Sequence, residues 1–257
     1  MLLNFDQIQS FDRDGFVLVP DMFSPREIEL LLSTVGKDGP ADKTTFNVTD
    51  AAGRESKLAF WADIRKDIFG AVSSSARVVN NARMLLREDV YHWHSKVSMK
   101  QPRTGGAWEW HQDYGYWYGD GCLYPRMISC MIALDAATRE NGCLKVIVGS
   151  HLLGRLDHGK VAGQVGADQA RVDEVIKRLP VHYCEAPVGS ALFFHGNTFH
   201  SSEANNSDKP RSAYLCCYNA WSNQPWGEAK GQGRAEPIVL SPDDAILRYG
   251  ETRPAAA

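Results

Sequence analysis

The run Trp108-Glu109-Trp110-His111-Gln112-Asp113-Tyr114 sets an imidazole and a carboxylate two residues apart. If this run is extended, both side chains point to one side and can grip a single metal ion. Two protein ligands do not complete a site. The best third donor is His200, which follows the strand-like run Ser190 to His195 and the bend Gly196-Asn197. Two histidines and one carboxylate leave up to three octahedral positions open, which suits iron(II) taking a bidentate co-substrate and dioxygen. Zinc accepts the same donors, so ligand type alone does not choose the metal. A His-x-Asp pair or a lone histidine also serves in structural hydrogen bonds. Arg211 adds weight to the metal reading. It lies eleven residues after His200 and opens the strand-like run Ser212 to Asn219. From there its planar guanidinium can fork onto a carboxylate in the same cavity.

These residues need a rigid frame. Residues 4 to 12 read as a short amphipathic helix and Gly15 to Pro20 as a strand. Ser24-Pro25-Arg26-Glu27 has the pattern of a helix start, with a capping serine, proline in the first turn and glutamate three residues after the cap. That helix is expected to run through Leu30 to Leu32 and stop near Gly36. Residues 37 to 57 read as a polar loop, and 58 to 75 are ambiguous with a helical leaning. From 77 onward the texture turns to strands, at 77–87, 90–99, 127–134, 143–148, 181–184, 190–195 and 212–219. Asn141-Gly142 and Pro187-Val188-Gly189 mark turns, and 168–179 reads as one surface helix. The last thirty residues read as an irregular tail folded back over the body. Helices first and many strands after them favour a mainly β fold, a double-sheet barrel with helices on one outer face. One domain is expected over 1–257, with a barrel core at about 77–220, helical support over 1–76 and an insert at 151–179.

Composition agrees with an ordinary globular chain. Of 257 residues, 44% are hydrophobic and 23% charged, which excludes a disordered chain, a collagen or a coiled coil. The formal charge of -3, from 28 basic and 31 acidic residues, gives no global field that would recruit nucleic acid or anionic lipid. No apolar stretch approaches the roughly 20 residues that span a bilayer. The opening MLLNFDQIQSFDRDG carries acids where a signal peptide has a basic start and an apolar core, so a cytoplasmic protein is expected. The six cysteines form no Cys-x-x-Cys pair and read as free, partly buried thiols. No phosphate-cradling glycine motif follows a strand.

The order His111-x-Asp113, His200, Arg211 resembles the phytanoyl-CoA dioxygenase family. The likeness extends to Phe11–Pro20 with the helix after Ser24, to Asn141-Gly142-Cys143-Leu144 followed by Gly149-Ser150-His151, and to Pro187 through Phe194. It spans roughly residues 5 to 225. The resemblance implies a double-stranded β-helix, a cupin-like jelly roll with flanking α-helices. It implies an Fe(2+)- and 2-oxoglutarate-dependent dioxygenase, a non-heme iron hydroxylase that consumes O2 and releases succinate and CO2. By the same resemblance His111, Asp113 and His200 bind iron, and Arg211 binds the far carboxylate of 2-oxoglutarate. The stretch Tyr91 to Lys100 is similar to the strand lining the co-substrate pocket of the family's ectoine hydroxylases, which implies His94, Lys96 and Ser98 as pocket-facing. Those enzymes carry glutamine and asparagine where this chain has His94 and Ser98. Gln112 is implied near the co-substrate and Trp117 near the substrate. Family halogenases lack the carboxylate that Asp113 supplies, so hydroxylation is favoured over chlorination.

The insert from His151 to Leu179 is the expected specificity element, with Arg155 and His158 as substrate contacts and its glycines allowing closure. His195 reads as a packed histidine more readily than as a fourth ligand, and Cys216-Cys217 must straddle two faces of one strand. The expected partner is a small polar metabolite, amino-acid-like or a natural product, with no nucleic acid and no membrane. The chain is expected to act as a monomer or homodimer. Two other readings are a hydroxylase of a CoA- or carrier-bound acid, with Arg54, Lys57, Lys100 and Arg103 as a basic rim, and a metal-binding jelly roll without turnover.

Overall fold

The computed structural model describes residues 1–35, 45–161, 163–227 and 234–252. The chain opens with α1 (Phe5–Asp14), held by a reciprocal capping box in which Asn4 and Gln7 side chains each accept the other's backbone N–H at 2.9 Å. Gly15 ends it at φ 85°, a left-handed turn natural to glycine, and β1 (Phe16–Val19) follows. Ser24 and Glu27 start α2 (Pro25–Val35) as their spacing predicts, with the Ser24 N–H donating to the Glu27 carboxylate at 2.8 Å. The expected stop at Gly36 lies outside the described residues.

Two expectations fail in the first third of the chain. Part of the stretch read as loop forms a hairpin, β2 (Thr45–Thr49) with β3 (Glu55–Trp61). The stretch read as a strand at 77–87 is α4 (Ala76–Leu86), preceded by α3 (Ile68–Ser73). Val78, Val79, Ala82, Leu85 and Leu86 recur at helical spacing and are all buried, so period outweighed the β-branched residues. The remaining strands are β4 (Val90–Lys100), β5 (Trp108–His111), β6 (Met127–Ala133), β7 (Leu144–Ile147), β8 (His158–Val161), β9 (Gln164–Ala167), β10 (Val181–Cys184), β11 (Ala191–His195), β12 (His200–Ser202) and β13 (Arg211–Ala220). Three short helices complete the set: α5 (Asp113–Trp117), α6 (Gln169–Ile176) and α7 (Ala245–Glu251). The tail is therefore partly helical, and α7 folds back onto α2 and α3.

The strands form antiparallel sheets. The larger runs β1-β11-β6-β13-β4-β3-β2, the smaller β10-β7-β12-β5, and β8-β9 stands as a separate hairpin. This is the jelly roll with flanking helices. Because β1, β2 and β3 belong to the large sheet, the first 76 residues supply more than helical support. Alternation along each strand divides the interior. Tyr214, Cys216 and Tyr218 of β13 join Val97 of β4 and the helices in one apolar core. Leu215 and Ala213 point the other way, toward Met131, Val146 and Phe194 between the sheets. On β4 the second face carries His94, Lys96, Ser98 and Lys100, all of them polar. An interior strand face this polar is costly to bury unless it meets partners or ligand. Among the described residues no helix is long and apolar enough to cross a membrane.

Candidate active site

The local geometry at His111 differs from the simple extended expectation. β5 ends at His111, Gln112 stays extended, and Asp113 is the first residue of α5. The turn still brings the carboxylate back to the imidazole, with Asp113 Oδ1 3.9 Å from His111 Nε2. His200 pairs directly with His111 across β12 and β5, and its Nε2 lies 3.8 Å from the same oxygen. The three donor atoms fall within 4.8 Å of one another, and all three residues are buried. Each histidine donates its Nδ1–H to a backbone carbonyl, His111 to Glu109 at 2.7 Å and His200 to Thr198 at 2.9 Å. That fixes the tautomer and turns the Nε2 lone pairs inward. Ser129 donates its hydroxyl to Asp113 Oδ2 at 2.8 Å, leaving Oδ1 on the metal side.

Electrostatics favour the ligand forms. Burial, reinforced by His200, pushes the His111 imidazolium down to about 3, and burial lowers His200 as well. Burial opposes ionisation of Asp113, but the Lys96 ammonium and the two histidines outweigh it and hold the carboxyl well below its usual range. Two neutral imidazoles and one carboxylate on converging vectors fit a divalent metal and leave positions for exogenous ligands.

The centre opens into a cavity of about 370 Å³ between the sheets. His94, Lys96 and Ser98 line it from β4, and Trp117 lines it from α5 with its ring edge-on to His94 at 5.7 Å. Lys96 Nζ lies 3.7 Å from Asp113 Oδ1. Arg211 lines the same cavity. Its Nε–H donates to the Gly142 carbonyl at 3.2 Å, and among the described residues it has no salt bridge to a carboxylate. The Asn141-Gly142 turn makes this possible, since Gly142 sits at φ 79° and a Cβ there would meet the Glu203 carbonyl oxygen at 2.2 Å. A buried guanidinium without a carboxylate is a ready anion site.

Three residues predicted at the site lie outside the cavity wall. Gln112 is fully buried and turned away, donating to Asn197 Oδ1 at 2.8 Å and accepting the Leu156 N–H at 2.9 Å. It pins the insert instead of facing a ligand. His158 accepts the Gln112 N–H at 3.0 Å and donates to the Leu156 carbonyl at 2.9 Å. Arg155 lies over the Tyr118 ring at 4.5 Å and pairs with Asp157 at 3.0 Å. The insert reaches the cavity through Gln164 and Val165 of β9. Lys100, taken as part of an outer basic rim, is fully buried and donates to Ser202 Oγ at 2.7 Å and to the Glu203 carbonyl. Arg54, Lys57 and Arg103 line a separate surface cleft. His195 accepts the Asn197 N–H at 3.1 Å and packs against Phe11 and His151.

Sequence reading missed the cavity's outer wall. Phe46 and Val48 of β2, Leu58 and Phe60 of β3, and Asp120 after α5 all line it. The alternations Phe46-x-Val48 and Leu58-x-Phe60 were the available signal for the hairpin.

Comparison with known proteins agrees with this geometry. The family model for phytanoyl-CoA dioxygenase matches residues 11–213. L-proline trans-4-hydroxylase from Streptomyces griseoviridis is 35% identical over 231 residues, covering 84% of this chain and 86% of that protein. Ectoine dioxygenase from Bordetella bronchiseptica is 29% identical over 236 residues, covering 86% and 77%. The crystal structure of EctD from S. alaskensis with 2-oxoglutarate and 5-hydroxyectoine superposes with a TM-score of 0.73 at 27% identity, covering 91% of this chain and 81% of that one.

Proposed function

The chain belongs to the phytanoyl-CoA dioxygenase family, and from that premise we propose that a single catalytic domain spanning it hydroxylates an unactivated C–H bond of a small polar metabolite at the His111, Asp113 and His200 centre. It is an Fe(II)- and 2-oxoglutarate-dependent dioxygenase, an oxidoreductase that uses O2. The assignment of the centre rests on one observation. Three buried donor atoms converge within 4.8 Å in a cavity whose wall also carries Arg211, which has no salt bridge to a carboxylate among the described residues.

His111 and His200 would hold the metal through Nε2, and Asp113 through its carboxylate. When bound, iron with 2-oxoglutarate and dioxygen would supply the oxidising power, with succinate and CO2 as co-products. The chain's own residues do the positioning. The Glu109 and Thr198 carbonyls orient the imidazoles, and Ser129 orients the carboxylate. Arg211 would take the far carboxylate of the co-substrate through its planar guanidinium, and Ser98 lines the same cavity. Trp117, Phe60 and Tyr116 keep water from the reacting C–H bond. Relatives that act on ectoine and on L-proline support a small polar substrate. The cavity's size and the inward turn of Lys100 favour a free molecule over a carrier-bound one. The enzyme acts in the cytoplasm as a monomer or homodimer, apart from nucleic acid and membrane.

Anaerobic titration of the iron(II)-loaded protein with 2-oxoglutarate tests the reading. A weak visible charge-transfer band that saturates at one equivalent is expected. Iron bound without any band would mean that the cavity rejects a chelating keto acid and would return the protein to the metal-binding reading. L-proline and ectoine are the first compounds to screen for coupled succinate release.

A further inference from the structure

The insert touches the chain segments that carry the three donor atoms from outside the cavity as well as lining the cavity itself. We propose that His158, at the head of the insert's hairpin, is a positioning residue for the metal centre. It seats the peptide between His111 and Asp113, so that metal affinity depends on the seated insert. The proposal rests on the metal-centre reading of His111, Asp113 and His200 and names what holds that centre in shape.

The backbone sets the need. β12 pairs with β5 as far as His111, and at Gln112 the chain leaves the sheet to enter α5. The Gln112 N–H donates to His158 Nε2 at 3.0 Å. Gln112 is fully buried, so water is no substitute acceptor. An N–H donor needs the lone pair of Nε2, which puts the ring proton on Nδ1, and Nδ1 donates it to the Leu156 carbonyl at 2.9 Å. Both ring nitrogens are used. The imidazole thus joins the insert's backbone to the N–H that lies between His111 and Asp113. Gly115 lets the ring come this close, because a Cβ there would meet it at 2.1 Å. Tyr116 packs against both imidazoles, 5.5 Å from the ring of His158 and 5.6 Å from that of His111.

A second set of ties reaches the third donor. Gln112 Nε2 donates to Asn197 Oδ1 at 2.8 Å, and Asn197 stands three residues before His200. Asn197 Nδ2 donates in turn to the His151 carbonyl at 3.0 Å and the Leu153 carbonyl at 2.5 Å. Gln112 Oε1 accepts the Leu156 N–H at 2.9 Å. These side chains dock the start of the insert without His158. What His158 adds falls on the backbone between His111 and Asp113. Its hairpin also supplies cavity wall, since His158 pairs with Ala167 and Val161 with Gln164, and Gln164 and Val165 line the cavity. Coupling of this kind is reciprocal: the factor by which the seated insert tightens metal binding is the factor by which metal steadies the insert.

The test uses cobalt(II) as probe, because its visible bands report ligand geometry. Affinity is measured on the metal-free protein by competition with a chelating indicator. His158→Phe keeps a ring against Gly115 but has no acceptor. It is expected to weaken cobalt(II) by about tenfold or more, the scale for a lost partner behind a metal ligand, and to alter the visible spectrum. Gly115→Ala, which displaces the imidazole, should do the same. His158→Gln, whose Oε1 can accept the same N–H, should recover most of the affinity. A merely structural role would lower melting temperatures and leave cobalt(II) affinity and spectrum native, and that result overturns the proposal. A loss in His158→Gln equal to that in His158→Phe overturns it too. The native protein supplies a measurement that needs no variant. Amide exchange over 156–161 should slow severalfold on cobalt(II) binding, relative to exchange in α2. Unchanged exchange there overturns the proposal even if the variants fail to fold. Native protein that binds neither cobalt(II) nor iron(II) sinks the metal-centre reading itself, and the proposal with it.

Discussion

Arg211 stands opposite Lys100 in the register of β13 on β4, so two cations are buried side by side at one end of the interior. Burial pushes the Arg211 guanidinium down to about 10. Burial, and then the charge of Arg211, drives the Lys100 ammonium well below its ordinary range. Sequestering this much positive charge is unfavourable until an anion arrives, and under the proposed function the far carboxylate of the co-substrate would supply one.

Replacing Arg211 with alanine is therefore expected to raise the dissociation constant of 2-oxoglutarate by about 10- to 100-fold, the scale of one to two charge-assisted hydrogen bonds. Arg211→Lys should fall between, because an ammonium cannot reproduce the planar fork. Iron stoichiometry should not change in either variant. Calorimetry with 2-oxoglutarate checks this, and an unaltered constant would move the role to another residue.

Ser129 controls Asp113 from behind. Its hydroxyl donates to Oδ2 at 2.8 Å and also meets Cys217 Sγ at 3.3 Å, so it is anchored on both sides. Ser129→Ala should keep the fold and weaken iron(II) about 10- to 100-fold, as loss of a partner behind a metal ligand generally does. Competition against a colorimetric chelator measures it. Iron affinity equal to that of the native protein would show that α5 alone orients the carboxylate.

The convergence of His111, Asp113 and His200 was legible because it is short-range in sequence or anchored by recognisable strands. His111-x-Asp113 needed only a two-residue offset, and His200 and Arg211 flank a loop between β12 and β13. The β4 face was legible from alternation alone. What could not be read was where side chains turn after an element ends. Gln112 sits between His111 and Asp113, yet it points to Asn197 because the chain changes from strand to helix at that residue. Arg155 precedes and His158 opens a hairpin whose second strand, not its first, meets the cavity. The hairpin β2–β3 was hidden by its polar, glycine-bearing surroundings, and α4 by its valines. In α4 the buried apolar face overrides the local propensity of the valines, while β2 and β3 are held by their antiparallel pairing to each other and to β4.

Tyr116 ties the insert to the centre. Its ring lies 5.6 Å from that of His111, and its hydroxyl donates to the Val165 carbonyl on β9 at 2.6 Å. Gln164 adds a second tie, donating to the Ala107 carbonyl at 2.9 Å. Tyr116→Phe removes one hydrogen bond of about 1 kcal/mol. It should raise KM for the prime substrate roughly fivefold, by the usual conversion of free energy to a ratio, with a smaller change in kcat. Amide exchange across 158–167 should quicken in the same variant. Unchanged exchange there would assign the hydroxyl no part in holding the insert down.

Stability at acid pH should depend on Glu27. Burial alone would raise its carboxyl, but hydrogen bonds from Arg77 and from the Ser24 backbone outweigh this and hold it below its ordinary value. Arg77 also reaches the Met22 carbonyl at 2.9 Å and lies over the Phe23 ring at 4.3 Å, so the pair fastens α2 to α4. With the folded value depressed, the unfolded chain binds the extra proton first as pH falls. The contribution is complete above the ordinary carboxylate range and disappears as pH drops through the folded value. Glu27→Gln should cost about 1–3 kcal/mol near neutral pH, since it leaves the Arg77 guanidinium half-satisfied. At about 2–4 °C per kcal/mol for a chain of this size, the melting temperature should fall by several degrees. The variant should also lose less stability than the native protein between neutral pH and the acid limb. Thermal melts across that range separate the outcomes: parallel curves would mean that Glu27 titrates alike in the folded and unfolded chains, and that its tie to Arg77 holds α2 in place without coupling the fold to pH.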